Sequence, residues 1–151
     1  MDNSELLQSV LQDVYMSVEY VGCYPNDRIP RTVYFPAGLI VNKDNHIGPG
    51  YHWVAMHIDS FGQGVYFDSL GREPSLQAHQ FLTRNCVSYI RNYNAIQHPA
   101  SSMCGLFCVL FLYFMARGYN LSQFLGLFSN TNLEMNDHIV TRLARNLRLI
   151  Q

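Results

Sequence analysis

The sequence predicts an α+β fold: one domain, residues 1–151, in which a small mixed sheet packs on a buried central helix headed by Cys104. Three observations predict it. Residues 103–116 form an apolar run that no charge interrupts. Residues 51–58 and 64–69 are rich in aromatic and β-branched side chains, and Asp59-Ser60-Phe61-Gly62 supplies a turn between them. Helical patterns flank this block on both sides.

The elements follow in order. Asn3 or Ser4 caps a first helix whose apolar stripe is Leu7, Val10, Leu11 and Val14. Residues 22–36 carry Pro25, Asn26, Asp27, Pro30 and Pro36 and read as loop. Residues 38–42 form a short strand, residues 45–50 a second loop rich in glycine, and the hairpin comes next. Pro74 and Ser75 open a helix that runs towards Asn94. After a break at Gln97-His98-Pro99 the central helix spans about 102–117, and Gly118 ends it. A bilayer span needs about 20 apolar residues, so this shorter run is a core helix. Two further helices occupy 121–128 and 134–149. There is no internal repeat and no low-complexity segment.

Bulk properties narrow the function. At 151 residues the chain can bury one real core but not two, and 48% apolar against 14% charged residues excludes a disordered chain. A net charge of −1 argues against a nucleic-acid partner. Arg142, Arg145 and Arg148 share a helix face, but such a stripe is more often simply solvated. The opening residues lack the basic start and apolar stretch of a secretory signal. Cys23, Cys86, Cys104 and Cys108 are therefore expected as reduced thiols of an intracellular, non-secreted protein. Cys104 and Cys108 lie one helical turn apart, but no second ligand pair accompanies them, so no metal is expected.

The candidate chemistry lies on four residues. Strand alternation sends His52 and His57 to opposite faces of the sheet, so only one of them can meet a given nucleophile. His52, beside Gly48-Pro49-Gly50, borders a cleft; His57 reads as packed or surface histidine. An antiparallel hairpin brings Asp68 to the same end of the sheet as His52, where a carboxylate can fix the imidazole tautomer. Cys104 stands at the start of the helix, where N–H groups and the macrodipole favour a thiolate, and Gly105 would let a substrate backbone approach. Gln97, in the break before the helix, can donate to an oxyanion beside the Cys104 N–H. Trp53 shields the imidazole, walls the cleft or belongs to the core. Taken singly, each has an ordinary structural reading: a paired histidine and aspartate, a core cysteine, a loop glutamine.

Together they resemble a known family. Tyr51-His52-Trp53, then Tyr66-Phe67-Asp68-Ser69 with Gly71, then Gln97, then Cys104-Gly105-Leu106-Phe107-Cys108 are similar to the signature of the clan of adenovirus and ubiquitin-like proteases. That clan keeps the order His, Asp or Glu, Gln, Cys; papain-type enzymes place Cys before His. The adenovirus (adenain) branch is the better fit, because Met103 stands where ubiquitin-like-specific peptidases usually carry an acidic residue. The passage from Tyr20 through Asn26-Asp27 to Pro30 is also similar to the adenoviral one. Relatives occur in Maverick/Polinton elements and other large DNA viruses. The resemblance covers roughly residues 1–130.

The resemblance implies a thiol protease with a His52–Asp68–Cys104 triad and Gln97 in the oxyanion hole, needing no cofactor for its chemistry. It implies protein substrates, viral capsid or core precursors cut at small-residue or glycine motifs during virion maturation, in the host nucleus or cytoplasm or in the virion. It also implies an activating peptide tied by a disulfide. Cys86, eleven residues before Gln97, has the family's spacing for the tether, though it also reads as a packed helix cysteine. The family's activation by DNA is at odds with the near-neutral charge, and no membrane partner is implied. The alternatives are a deubiquitinase or ubiquitin-like-modifier peptidase of the same clan, and a non-catalytic, protease-derived interaction domain.

Overall fold

The computed structural model describes residues 1–43 and 52–151; Tyr51 and the expected loop at 45–50 lie outside the described residues. The chain is a mixed α+β domain built on a five-stranded sheet in the order β1-β2-β3-β4-β5. The strands are β1 (Tyr20–Pro25), β2 (Ala37–Asn42), β3 (Trp53–Ile58), β4 (Gln63–Phe67) and β5 (Ser88–Arg91). The central pairs β2–β3 and β3–β4 are antiparallel, and both edge strands run parallel to their neighbours. The helices are α1 (Asn3–Leu11), α2 (Val14–Glu19), α3 (Leu76–Asn85), α4 (Cys104–Ala116), α5 (Leu121–Leu125) and α6 (Leu133–Asn146).

Period-two alternation divides the strands between two cores. One face sends Ile40, Trp53, Ala55 and Phe67 towards α4, where Phe67 stacks on Phe111 at 4.9 Å and meets the edge of Phe124 at 5.2 Å. The opposite face sends Leu39, Val41, Val54, Met56, Ile58 and Tyr66 against Ala78, Phe81 and Leu82 of α3. Ten of the thirteen residues of α4 are buried, because β3 lies along it and α1, α2 and α6 surround it. A helix enclosed in this way has no polar face to keep, hence its unbroken apolar sequence.

Several elements differ from the sequence expectation. The first helix breaks at Asp13, whose carboxylate accepts from the Met16 N–H at 2.8 Å and starts α2. The cap of α1 is Asp2, and Leu6 and Val10 carry the buried stripe while Leu7, Leu11 and Val14 face outward. Two edge strands read as loop or helix: β1 ends on Pro25, and β5 interrupts the helix expected to reach Asn94. Edge strands need no central pairing and tolerate such sequences.

After β4 the chain turns through residues 68–71. The Gly71 N–H donates to the Asp68 carbonyl at 2.8 Å, and Gly71 adopts φ 72°. An added Cβ would stand 2.6 Å from the Asn94 carbonyl carbon. Gly71→Ala should therefore destabilise the protein by about 2 kcal/mol or more, combining the left-handed backbone cost with the clash. For a chain of this size that lowers the thermal midpoint by about 4–8 °C. Gly118→Ala, at φ 84° with nothing near its Cβ, should cost less. Equal midpoints for the two variants in thermal unfolding would contradict this account.

Candidate active site

The ends of β3 and β4 and the first turn of α4 converge. His52 is the residue before β3 and Asp68 the residue after β4, so both stand at one end of the antiparallel pair. His52 Nε2 lies 2.6 Å from Asp68 Oδ1. The other imidazole nitrogen, Nδ1, remains for the Cys104 thiol, to which His52 is also hydrogen-bonded. Cys104 is the first residue of α4.

His52 reaches the sulfur by a route that strand alternation did not provide. His57 shares a face with Trp53 and Ala55 on the α4 side, where its Nε2 pairs with Glu19 Oε2 at 2.9 Å. Extending the alternation would put His52 on the α3 side. It escapes because it lies beyond the ladder, where its backbone carbonyl accepts from the Lys43 N–H and the side chain is no longer bound to either face.

Asp68 has no exposed surface. Burial would raise its pKa, but the His52 hydrogen bond outweighs it, with the Leu70 N–H at 2.9 Å and the Lys43 ammonium at 3.5 Å adding to the effect, so the pKa is lowered. Burial likewise pulls His52 down, but Asp68 and Cys104 together hold its pKa up at about 9. For Cys104 burial acts upward and is overcome by His52 and by the backbone N–H groups of Trp53 and Gly105, which lowers the pKa. The three shifts favour a carboxylate, an imidazolium and a thiolate together.

Gln97 is 2% exposed and its amide is held at both ends. Its Oε1 accepts from the Ser69 hydroxyl, and its Nε2 donates to the Ser101 carbonyl at 2.9 Å, which leaves one N–H of the amide for another acceptor. The Ile96 and Gln97 N–H groups both donate to the Ser69 carbonyl. Asp68 is fixed similarly by Asn92, which accepts from the Asp68 N–H at 3.0 Å and donates to its carbonyl at 2.6 Å. Sequence reasoning gave no role to Lys43, Asn92 and Ser101, and named Ser69 only as part of a motif. Ser69 and Ser101 lie close in sequence to Asp68 and Cys104, but no sequence signal marked Lys43 or Asn92.

Trp53 is 9% exposed and belongs to the core beside α4. Gly105, expected to admit a substrate backbone, also lies against packed side chains. An added Cβ would meet Leu6, Met1 and Trp53 at 3.2–3.6 Å, so the absent side chain serves close packing of α1 and the tryptophan. Cys86 is the C-cap of α3, half-buried, and burial with the charge of Asp59 pushes its thiol up to about 11. Cys23 is pushed up to about 12 by burial, and Cys108 lies fully buried with its pKa well above the ordinary value. No disulfide joins the four cysteines. A groove of about 970 Å³ runs beside the site between residues 98–103 and α6. Among the described residues there is no cluster suited to a metal ion, and no helix is long and apolar enough to cross a membrane.

The acidity differences give a direct prediction. Iodoacetamide alkylation of Cys104 should have a pH midpoint below 9, the ordinary thiol value, whereas Cys23, Cys86 and Cys108 should react slowly at pH 7. Because His52 stays protonated up to about pH 9, the thiolate–imidazolium pair should persist across the neutral range, and His52→Ala should move the Cys104 midpoint upward. Peptide-resolved mass spectrometry across pH measures this, and a midpoint at or above 9 in the unmodified protein would refute it.

Comparison with known proteins accords with this geometry. The chain is 32% identical over 92 residues to the protease of Frog adenovirus 1, an alignment covering 51% of this chain and 45% of that protein. The chain spans about half the length of the curated adenovirus relatives it matches. The fold resembles the crystal structure of an ASFV protease, with a TM-score of 0.67 at 18% identity, covering 92% of this chain and 65% of that one. It also resembles the SUMO protease Ulp1, with a TM-score of 0.51 at 12% identity, covering 99% and 79% respectively. Residues 31–128 match the adenovirus endoprotease family, and that stretch holds every residue of the converging site; the chain belongs to this family.

Proposed function

We propose that the chain is a cysteine endopeptidase that cuts viral capsid or core precursor proteins at small-residue, glycine-containing motifs during particle maturation, and that residues 1–151 form its protease domain. The observation that carries this reading is the hydrogen-bonded run from Asp68 through His52 to the thiol at the head of α4.

The chemistry follows from the groups present. Cys104 is the nucleophile, His52 the acid and base, and Asp68 orients the ring and stabilises its cationic form. The thiolate attacks the scissile carbonyl carbon. The oxygen becomes an oxyanion held by the Cys104 N–H, at the open end of the helix, and by the second N–H of the Gln97 amide. His52 then gives its proton to the leaving amine. Water, deprotonated by His52, releases the acyl group from the thioester. Trp53 acts from behind, through its backbone N–H on the sulfur and its ring against Gly105. Cys86, at the end of α3 next to the edge strand β5, is the proposed anchor for an activating peptide. Its protonated thiol would need oxidation or disulfide exchange to form that link.

The test uses a panel of peptides with glycine or bulky residues at the cut position, followed by mass spectrometry. Cleavage is expected after glycine. Cys104→Ala should abolish it while leaving the circular dichroism unchanged. Gln97→Ala should slow it roughly 10²–10³-fold, the usual effect of losing one oxyanion donor. Asp68→Asn should also slow it, by presenting the wrong imidazole tautomer. Retained cleavage in Cys104→Ala would overturn the assignment. Rapid labelling of Cys104 by a ubiquitin- or SUMO-vinyl sulfone would redirect it to modifier peptidases.

A further inference from the structure

The segment that carries Gln97 into the site has little regular structure: from Asn92 to Met103 the chain forms neither helix nor strand. Besides Ser69, what holds it comes from α6, which lies beyond the residues that match the family. Two successive residues of α6 reach back to it. Asn136 is fully buried and donates through Nδ2 to the Ile96 carbonyl at 2.8 Å and the Ser129 carbonyl at 2.9 Å, while its Oδ1 accepts from the Ser129 N–H. Asp137 Oδ1 accepts from the Ser101 hydroxyl at 2.8 Å. That hydroxyl in turn accepts from the Met103 N–H at 3.1 Å, and the Ser101 carbonyl is the acceptor for Gln97 Nε2.

We infer that Asn136 and Asp137 are positioning residues: α6 grips the loop on both sides of Gln97 and sets its amide in register with the Cys104 N–H. The inference rests on the reading of those two groups as oxyanion donors. Asparagine in a helix interior is a poor helix former, and burying its amide is costly unless every polar atom is paired. Here each is paired, and one partner is the carbonyl immediately before Gln97. Neighbouring positions on a helix diverge by about 100°. The two side chains thus hold the segment at two separated points, Ile96 and Ser101, and fix its rotation as well as its distance. A donor displaced by about 1 Å loses most of its effect on a developing charge.

Two thiol probes separate this role from general stability. Iodoacetamide requires only the thiolate: sulfur bonds to the methylene carbon and iodide leaves. A peptide ending in glycinal requires the hole as well. The sulfur adds to the aldehyde carbon, the carbonyl electrons move to oxygen, and the alkoxide is held by the oxyanion donors or takes the His52 proton. For Asp137→Ala the expected result is a glycinal affinity about 10-fold weaker, a fraction of the loss from deleting a donor outright, with the rate of Cys104 alkylation at pH 7 unchanged. Asp137→Asn, whose amide oxygen can still accept from Ser101, should restore the affinity. Asn136→Ala should weaken glycinal binding further, provided circular dichroism shows it folded, and Asp137→Ala decides the matter if it does not. Unchanged glycinal affinity, or an equal fall in alkylation, overturns the inference. So does failure of the unmodified chain to bind glycinal while its Cys104 is alkylated normally. If Cys104 of the unmodified chain is alkylated no faster than Cys23, the underlying assignment of the nucleophile fails instead.

Discussion

A carboxylate with no exposed surface is an expensive group to bury, and the site depends on how Asp68 is accommodated. Three donors face it: the imidazole of His52, the N–H of Leu70 and, at longer range, the ammonium of Lys43. Only the imidazole can pass the effect onward. By accepting from His52 Nε2, the buried charge makes the ring hold its proton to about pH 9, and the ring in turn lowers the acidity threshold of the thiol on its far side. Each group is stable in its charged form because the next one is charged. Removing the imidazole would leave two buried acidic groups with no cation between them, so the unit is one interaction more than three.

The surrounding fold keeps that unit at the end of the sheet. Strands β3 and β4 deliver His52 and Asp68 just past their last ladder residues, where side chains are no longer committed to a face. The enclosed helix α4 brings its first turn to the same place. Cys108, one turn deeper, occupies a fully buried position, and the difference between two cysteines on one helix is almost wholly one of environment.

Much of this was legible in the sequence, for identifiable reasons. The helix 103–116 announced itself because an enclosed helix must be apolar throughout. His52, Asp68, Gln97 and Cys104 stood out because few other arrangements need those four residue types in that order. Strand alternation showed only that one of His52 and His57 could serve, and its place beside Gly48-Pro49-Gly50 singled out His52; the alternation misjudged the geometry, because residue 52 lies outside the strand. Strands β1 and β5 were hidden by proline and by brevity. The supports Asn92, Asn136 and Asp137 were hidden more deeply, since a side chain that satisfies a distant backbone group leaves no periodic trace. The packing at Gly105 left no trace because a glycine that admits a ligand and one that admits a neighbouring helix look alike in one dimension.

The turn at 68–71 has a further implication for how such a site can be exchanged between relatives. Its first residue serves the imidazole and its second holds the amide of Gln97, while Gly71 fits against residues 93–95 with no room for a methyl group. The carboxylate–imidazole pair and the Gln97 amide are thus tied through a single turn and the opposing strip at 92–97. Neither can be grafted alone: a working chimera would have to inherit both strips as one cassette.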